Sequence, residues 1–510
     1  MKTILGIDIG TSGTKTILTD ENGRVLASYT EEYPMYQPHN GWAEQNPEDW
    51  FLAVKTGIKA VITAAKRENA NVSAPIAIGM SGQMHGLVMT DKDGEVLRPS
   101  IIWCDQRTEA EIEDMDRIVG RQKIIEITAN APMTGFTAAK ILWVRKNEPE
   151  IYEKCAHILL PKDYIRYKLT GEYATEVSDA SGMQLMDVSS RTWSDELLGL
   201  LNIDKNLLAN IYESPDVTGK ILPSLAAETG ADADAIVVGG AADNAAAAIG
   251  TGVFSEGTAF TTIGSSAVIY AVSDEVRIDL KGRVHSLCAS VPGKWTVMSC
   301  TQGAGLSLKW LRDTICTEEK RLEAETGRDA YDIMSELALK IPEGSDRLLF
   351  LPYLMGERSP HPDPDARGVF FGLSAIHTRA NMIRSVMEGV AFSQLECLNV
   401  FREMGVSVGN MVITGGGGKS PFWRQMLADL YECPVHTLAH DEGAAMGAAI
   451  LASIGAGIFK DASEACENIV QIGSTLEPIE GHTKAYKPYF ELYSELYQTL
   501  TGEFKKLSAL

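Results

Sequence analysis

A two-lobed α/β protein with a cleft between its halves is what this sequence predicts, and three observations carry that expectation. At 510 residues the chain is too long for one ordinary core. A strand-like run leading into a glycine-and-hydroxyl loop occurs twice: residues 4–9 before Gly10-Thr11-Ser12-Gly13, and residues 259–263 before Gly264-Ser265-Ser266. Each half also holds a helix start made almost wholly of small residues, 245–250 and 443–449, of the kind that lets two lobes pack closely and shear.

Composition narrows the partners. The charge balance of 46 basic against 68 acidic residues gives −22, which repels nucleic-acid backbones and anionic membrane surfaces. Phosphate can still be held locally, by backbone N–H groups and a metal ion. The eight cysteines are dispersed, with no CxxC pair, as in a reduced compartment. No long apolar run reads as a membrane span, and the N-terminal apolar run is short and broken by Asp8. A cytoplasmic protein is expected. A homodimer is compatible with the sequence.

Taken in order, residues 4–9 and 15–19 read as strands, and Asn22-Gly23 turns the chain into a third at 24–29. The loop Thr11-Ser12-Gly13 can wrap a phosphate with backbone donors, with Lys15 adding a point charge and Asp8 placed at the strand end for magnesium. A plain hairpin with a capped Asp fits the same residues. Asn46-Pro47-Glu48-Asp49 is a helix start, and Trp50, Val54, Ile58, Val61, Ile62 and Ala65 then recur at helical spacing. Residues 76–80 form a strand entering Ser81-Gly82-Gln83-Met84-His85-Gly86, where His85 is either a sugar ligand or a loop donor. Trp103, beside Asp105 and Arg107, either stacks on a sugar face or belongs to the core. Residues 137–147 and a helix opening at Leu160-Pro161-Lys162-Asp163-Tyr164 read as structural, as does the polar turn 178–182.

The first half closes on Val237-Val238-Gly239-Gly240-Ala241-Ala242-Asp243-Asn244, a strand end, a glycine turn and a helix start. Asp243 is there either as an N-cap or as a general base in a cleft lined by small residues. In the second half, 356–360 reads as a surface loop carrying Arg358 near the cleft, 368–373 as a strand and turn, and 381–400 as one long amphipathic helix. Gly418-Lys419-Ser420 resembles the end of a P-loop, but the first glycine of that motif would have to be Ile413, so the motif is absent. Gly415, Gly416 and Gly417 instead form either an adenosine slot or a tight turn. Three segments are expected: a lobe over 1–250, a lobe over 251–455, and a peripheral helical tail over 456–510.

Together these motifs resemble the FGGY carbohydrate kinase family. The stretch 135–147, with Lys140 and Trp143, is similar to its first signature, and 368–388, with Gly372-Leu373, Asn381 and Ser385, to its second. The resemblance runs from Ile4 to about Ala452. It implies actin-like, ribonuclease-H-like ATPase lobes, and ATP-dependent phosphorylation of D-xylulose at its 5-hydroxyl. Carried over by position, Asp243 would be the base, Met84 and His85 the sugar contacts, and Asp8 the residue near Mg2+. Gly10 to Gly13 and Gly264-Ser265 would hold phosphates, and Gly415 to Gly417 the adenosine. Where many relatives have Gly-Thr-Ser in the second phosphate loop, this chain has Gly264-Ser265-Ser266, which keeps the hydroxyl. Ala241-Ala242 replaces a glycine often found before the base. Another acceptor of the same family (a ketose, a polyol or an aldonate such as gluconate) and a non-catalytic sugar or ATP sensor are the remaining readings.

Overall fold

Strand pairing begins at the first residues. The computed structural model describes residues 1–510. Strand β1 (Thr3–Ile9) pairs antiparallel with β2 (Gly13–Asp20), and β2 with β3 (Val25–Glu32), so both predicted turns are hairpin ends. Helix α1 (Pro47–Glu68) starts as read: Asn46 accepts from the Glu48 N–H, Pro47 takes the first position, and the six apolar residues named above are buried. Strand β4 (Ala77–Gly82) lies parallel to β1. Helices α2 (Thr137–Asn147), α3 (Pro161–Thr170) and the single turn α4 (Val177–Ala180) follow. After β5 (Val217–Lys220), strands β6 (Ile236–Val238) and β7 (Ala241–Ala242) run along the same edge of β4, interrupted at Gly239-Gly240. Gly240 has φ +73°, and a Cβ there would overlap the Met80 carbonyl. The sheet order is β5-β6-β4-β1-β2-β3, with β7 extending the β6 edge into helix α5 (Asp243–Gly250).

The second half repeats the plan. Strands β8 (Gly257–Ile263), β9 (Ala267–Ser273), β10 (His285–Cys288) and β11 (Trp295–Thr301) come first, then helices α6 (Gly305–Thr314) and α7 (Arg379–Glu403). Strand β12 (Val408–Thr414), α8 (Pro421–Tyr431) and β13 (Val435–Leu438) lead to α9 (Ala444–Gly455), α10 (Ala462–Ile469), β14 (Ile472–Leu476) and α11 (Glu480–Ser508). The order is β10-β11-β9-β8-β12-β13-β14, with β8, β12 and β13 parallel. Each sheet therefore has an antiparallel trio, β3-β2-β1 or β11-β9-β8, continued by two parallel strands. The two hydroxyl loops occupy equivalent hairpins, one in each sheet.

Three expectations need correction. The tail is not peripheral: β14 is an edge strand of the second sheet, and α11 sends Tyr486, Tyr493, Leu496, Tyr497 and Phe504 into the second core. Its charged residues mask an apolar stripe of aromatics. Helix α7 is buried on nearly every side rather than amphipathic, because α8, α11 and the sheet enclose it. The supposed surface loop at 356–360 is folded inward, with Glu357 and Ser359 buried.

Lobe contact rests on glycines. Helix α9, although it comes from the second half, packs on β1 and β4 of the first sheet and beside α5. A Cβ on Gly6, Gly79 or Gly447 would overlap the carbonyl oxygen of Ala445, Ala448 or Ala246 respectively. One apolar cluster joins both halves, from Ile4, Ala77 and Val238 to Phe260, Tyr270 and Ile450.

Candidate active site

The parallel strands β1, β4 and β7 end side by side, and their carboxyl ends carry the acidic residues. Asp8 faces Ser81 across the β1–β4 register, and Ser81 Oγ donates to Asp8 Oδ1 at 2.9 Å. Burial raises the Asp8 carboxyl, opposed by that hydrogen bond and by the charge of Lys15. Asp8 Oδ2 has no hydrogen-bond partner in the protein. Immediately beyond the β7–β4 pairing, which ends at Ala242, stands Asp243, the first residue of α5. It is not the N-cap, since Ala242 holds that position and no side chain caps this helix. Asp243 Oδ1 accepts from the N–H of Asn244 at 2.7 Å and from its Nδ2 at 2.9 Å, leaving Oδ2 unbonded. Burial first, and the negative charge of Asp8 second, push the Asp243 carboxyl up to about 7.

The turn that aims Asp243 is braced from beneath by segments read as merely structural. Lys162, fully buried, lies 2.9 Å from Asp163, 3.5 Å from Glu176 and 3.7 Å from Asp179. Arg166 Nη1 donates to the Gly239 carbonyl at 2.6 Å, and Ser178 Oγ accepts from the Ala242 N–H at 3.0 Å. Lys162 and Arg166 on α3 and Ser178 on α4 thus hold a turn 64 to 77 residues further along the chain.

Met84 and His85 lie against this end of the cleft. Asn244 Nδ2 approaches Met84 Sδ at 3.9 Å, so the predicted sugar contact adjoins the predicted base. His85 takes φ +67°, and its carbonyl accepts from Thr137 Oγ1 at 3.1 Å and from Lys140 Nζ at 2.9 Å. That explains Lys140 in the first signature: a fully buried ammonium, lowered to about 7 by burial, that pins the loop. The His85 ring is held neutral by burial and by the neighbouring charges of Lys140 and Arg358. Its Nδ1 pairs with the Gly182 carbonyl at 2.9 Å, which leaves Nε2 as an acceptor. Phe136 meets the ring edge-on at 4.5 Å. Trp103 is 41% exposed, so it is no core residue, and its Nε1 donates to Thr11 Oγ1 at 2.9 Å.

Both hydroxyl loops present unused donors. The N–H groups of Thr11 and Ser12 bond to nothing in the protein, and neither do those of Ser265 and Ser266. The first loop is stiffened at Gly10, whose carbonyl accepts from Tyr33 Oη at 2.5 Å, while Gly13 belongs to β2. Lys15 reaches across to the second lobe, forming an ion pair of 2.6 Å with Glu442. In the second lobe, Gly305 N donates to the Gly264 carbonyl at 2.8 Å and Leu306 N to that of Ser265 at 3.0 Å, seating the loop on the start of α6. Gly264, Ser265, Gly416 and Gly417 line one pocket of about 550 Å3, closed by Tyr331 and Trp423. Gly415 stands behind it at φ +78°, where a Cβ would be 2.8 Å from the Ile263 carbonyl. The segment 305–335, which supplies Lys309, Tyr331 and Asp332 to this pocket, carries no motif that marks it in the sequence.

Comparison with known proteins agrees with this geometry. The N-terminal domain of the FGGY family of carbohydrate kinases matches residues 3–250, and its C-terminal domain matches residues 259–456. The chain belongs to the FGGY family of carbohydrate kinases. It is 39% identical to a xylulose kinase of Bacillus subtilis, covering 98% of this chain and 97% of that one, and 37% identical to a xylulose kinase of Escherichia coli, covering 97% and 99%. A solved structure of a xylulose kinase from Rhodospirillum rubrum superposes with a TM-score of 0.91 at 30% identity, covering 99% and 100%. The expected actin-like two-lobed fold is the one observed, and the chain is a sugar kinase that phosphorylates an alcohol group. Kinases of this family take the phosphoryl group from ATP. No helix is long and apolar enough to cross a membrane.

Proposed function

We propose that this kinase transfers the γ-phosphoryl group of ATP to the 5-hydroxyl of D-xylulose, with Asp243 as general base. The observation that carries the reading is the free Oδ2 of Asp243, on a carboxyl held near neutrality beside loops with unused N–H donors. A base whose pKa lies close to the working pH combines the correct protonation state with the ability to take a proton. Met84 and His85, next to Asn244, orient the sugar, and Nε2 of the neutral His85 accepts from a hydroxyl. Thr11, Ser12, Gly13 and Lys15 bind phosphate oxygens from the first lobe, and Gly264 and Ser265 from the second. Gly415, Gly416 and Gly417 back the adenosine, and Trp103 flanks Thr11 at the sugar end.

The residues present also suit magnesium. Asp8 has one oxygen on Ser81 and one free, and no group of three acidic, His or Cys side chains is assembled anywhere to make an all-protein cage. Magnesium is commonly held by one or two carboxylates together with phosphates and water, which matches that donor set. When bound, the ion supplies charge neutralisation to the phosphates. Asp8 holds and orients it, while Asp243 accepts the proton of the attacking hydroxyl. Positioning and charge neutralisation are what phosphoryl transfer demands, since its transition state is loose. The eight free cysteines accord with a reducing cytoplasm.

A coupled assay of ADP release tests the reading across D-xylulose, other ketoses, glycerol, xylitol and gluconate. The highest kcat/KM is expected with D-xylulose. A clear preference for gluconate or a polyol would replace the acceptor, and ADP release indifferent to sugar would remove the kinase reading.

A further inference from the structure

Opposite Met84 and His85 the second lobe presents Arg358, and its surroundings are chemically incomplete. No carboxylate lies within ion-pair distance of its half-buried guanidinium, although 39 ion pairs are formed elsewhere. Nη2 touches the Nε2 of His285 at 3.2 Å and the Sδ of Met133 at 3.4 Å, while Nε is buried without a partner. His285 offers no negative charge: it is neutral, lowered to about 3 by burial and by Arg358 itself, and its Nδ1 lies 3.0 Å from Asn130 Oδ1. Only Nη2 of the guanidinium is engaged, by a neutral ring and a thioether; Nη1 makes no hydrogen bond and is not buried, so it is open to an acceptor from outside the protein.

The neighbours say which acceptor. The charge of Arg358 acts on the rings of His85 and His285, and Phe136 stands edge-on to both rings at 4.5 and 5.6 Å. This wall is built from both lobes, with Met133 and Phe136 from the first and His285 and Arg358 from the second. Arg358 forms no ion pair with Asp243, and its contacts run instead through His285 and Phe136 to His85, which puts it on the His85 side of the cleft.

We infer that Arg358 is a specificity-determining residue whose guanidinium donates to sugar oxygens remote from the phosphorylated hydroxyl, so that the second lobe closes on a sugar already held by Met84 and His85. The inference rests on the sugar-kinase reading above. A guanidinium offers five donors in a fixed fork and suits a row of hydroxyl or carbonyl oxygens better than a lysine would. Because the residue belongs to the second lobe yet already meets Met133 of the first, its contact ties acceptor recognition to the junction of the two lobes.

Steady-state kinetics of Arg358→Met and Arg358→Lys, with KM for sugar and for ATP measured separately, test this. Methionine keeps the apolar stem and removes every donor; lysine restores a charge without the fork. The expected result is a rise of about 10- to 100-fold in KM for D-xylulose with Arg358→Met, the range for a lost charged hydrogen bond. KM for ATP and the thermal midpoint should stay near wild type, and Arg358→Lys should recover part of the loss. An unchanged sugar KM overturns the inference. So does a parallel rise in both KM values with a lowered midpoint, which marks a purely structural link between lobes. Should wild-type enzyme reject D-xylulose but turn over another acceptor, the proposed acceptor falls, and the same comparison made with the accepted sugar still decides the role of Arg358.

Discussion

Asp8 and Asp243 lie at the carboxyl ends of strands that flank β4, and the charge of the first helps keep the second protonated up to about pH 7. Two acids this near one another disfavour joint ionisation, and a cation held at Asp8 would relieve it. The kinetic and stability consequences of that pairing can be measured separately.

Replacing Asp243 with Ala removes the free Oδ2 and the two bonds that Oδ1 accepts from Asn244, while the N-cap position stays with Ala242. Turnover should fall by at least ~10²-fold, the lower range for a positioned base. Circular dichroism and thermal unfolding should stay close to wild type. Near-native turnover in the variant would exclude Asp243 as the base.

The pH profile follows from the raised carboxyl. In kcat/KM for sugar, activity should decline with a single-proton slope below about pH 7, where Asp243 becomes protonated. Asp8→Asn removes a negative neighbour, so the residual activity should lose its acid limb at a lower pH than wild type. An acid limb unmoved by Asp8→Asn would show that the two carboxyls are not coupled.

Stability should run the other way. Asp243 has a folded-state value above its ordinary 3.8, so the fold binds that proton more tightly than the unfolded chain does. The contribution to stability is complete below about pH 3.8 and is lost as pH rises through about 7. Asp243→Asn, neutral at every pH, should therefore melt at a higher temperature than wild type at pH 8. The two melting temperatures should converge below pH 4. Calorimetry across that range checks both halves.

Gly182 is a remote control on the sugar contact. A Cβ there would stand 2.5 Å from the Cε1 and Nδ1 of His85. Gly182→Ala should displace the ring, break its bond to the Gly182 carbonyl and raise KM for sugar about tenfold, as expected for one lost hydrogen bond. KM for ATP, read in the same assays, should hold steady.

Gly447 tests the lobe junction. Its missing side chain lets α9 lie against the Ala246 carbonyl of α5, and backbone cannot yield there as a flexible side chain would. Gly447→Ala should destabilise the protein by about 1–3 kcal/mol, the usual range for overpacking, in urea unfolding. An alanine tolerated without loss would mean that the two helices separate freely.

Much of this protein was legible in local chemistry. Asn46-Pro47 announced α1, the Gly-Thr-Ser loop announced a donor-rich hairpin, and Gly239-Gly240 announced a sharp turn before Asp243. Each signal is short range, because caps, hairpins and glycine turns are set by neighbouring backbone groups. Asp243 itself was ambiguous, since a carboxylate at a helix start serves either as cap or as base, and only the observed helix start, with Ala242 at the cap, removed the cap reading. The tail failed for a similar reason: its aromatics read as surface until α7 and the second sheet were there to receive them.

Charge, length and motif order were enough to define two lobes and a family, because those features depend on which residues stand next to one another. Folding alone could join Lys162 to the Gly239 turn, Lys15 to Glu442, α9 to the opposite sheet, and Arg358 to a wall begun more than 200 residues earlier. Such contacts have no spacing to betray them, since they exist only once distant segments have packed, and those between the halves only after two glycine-lined helices have brought the halves together.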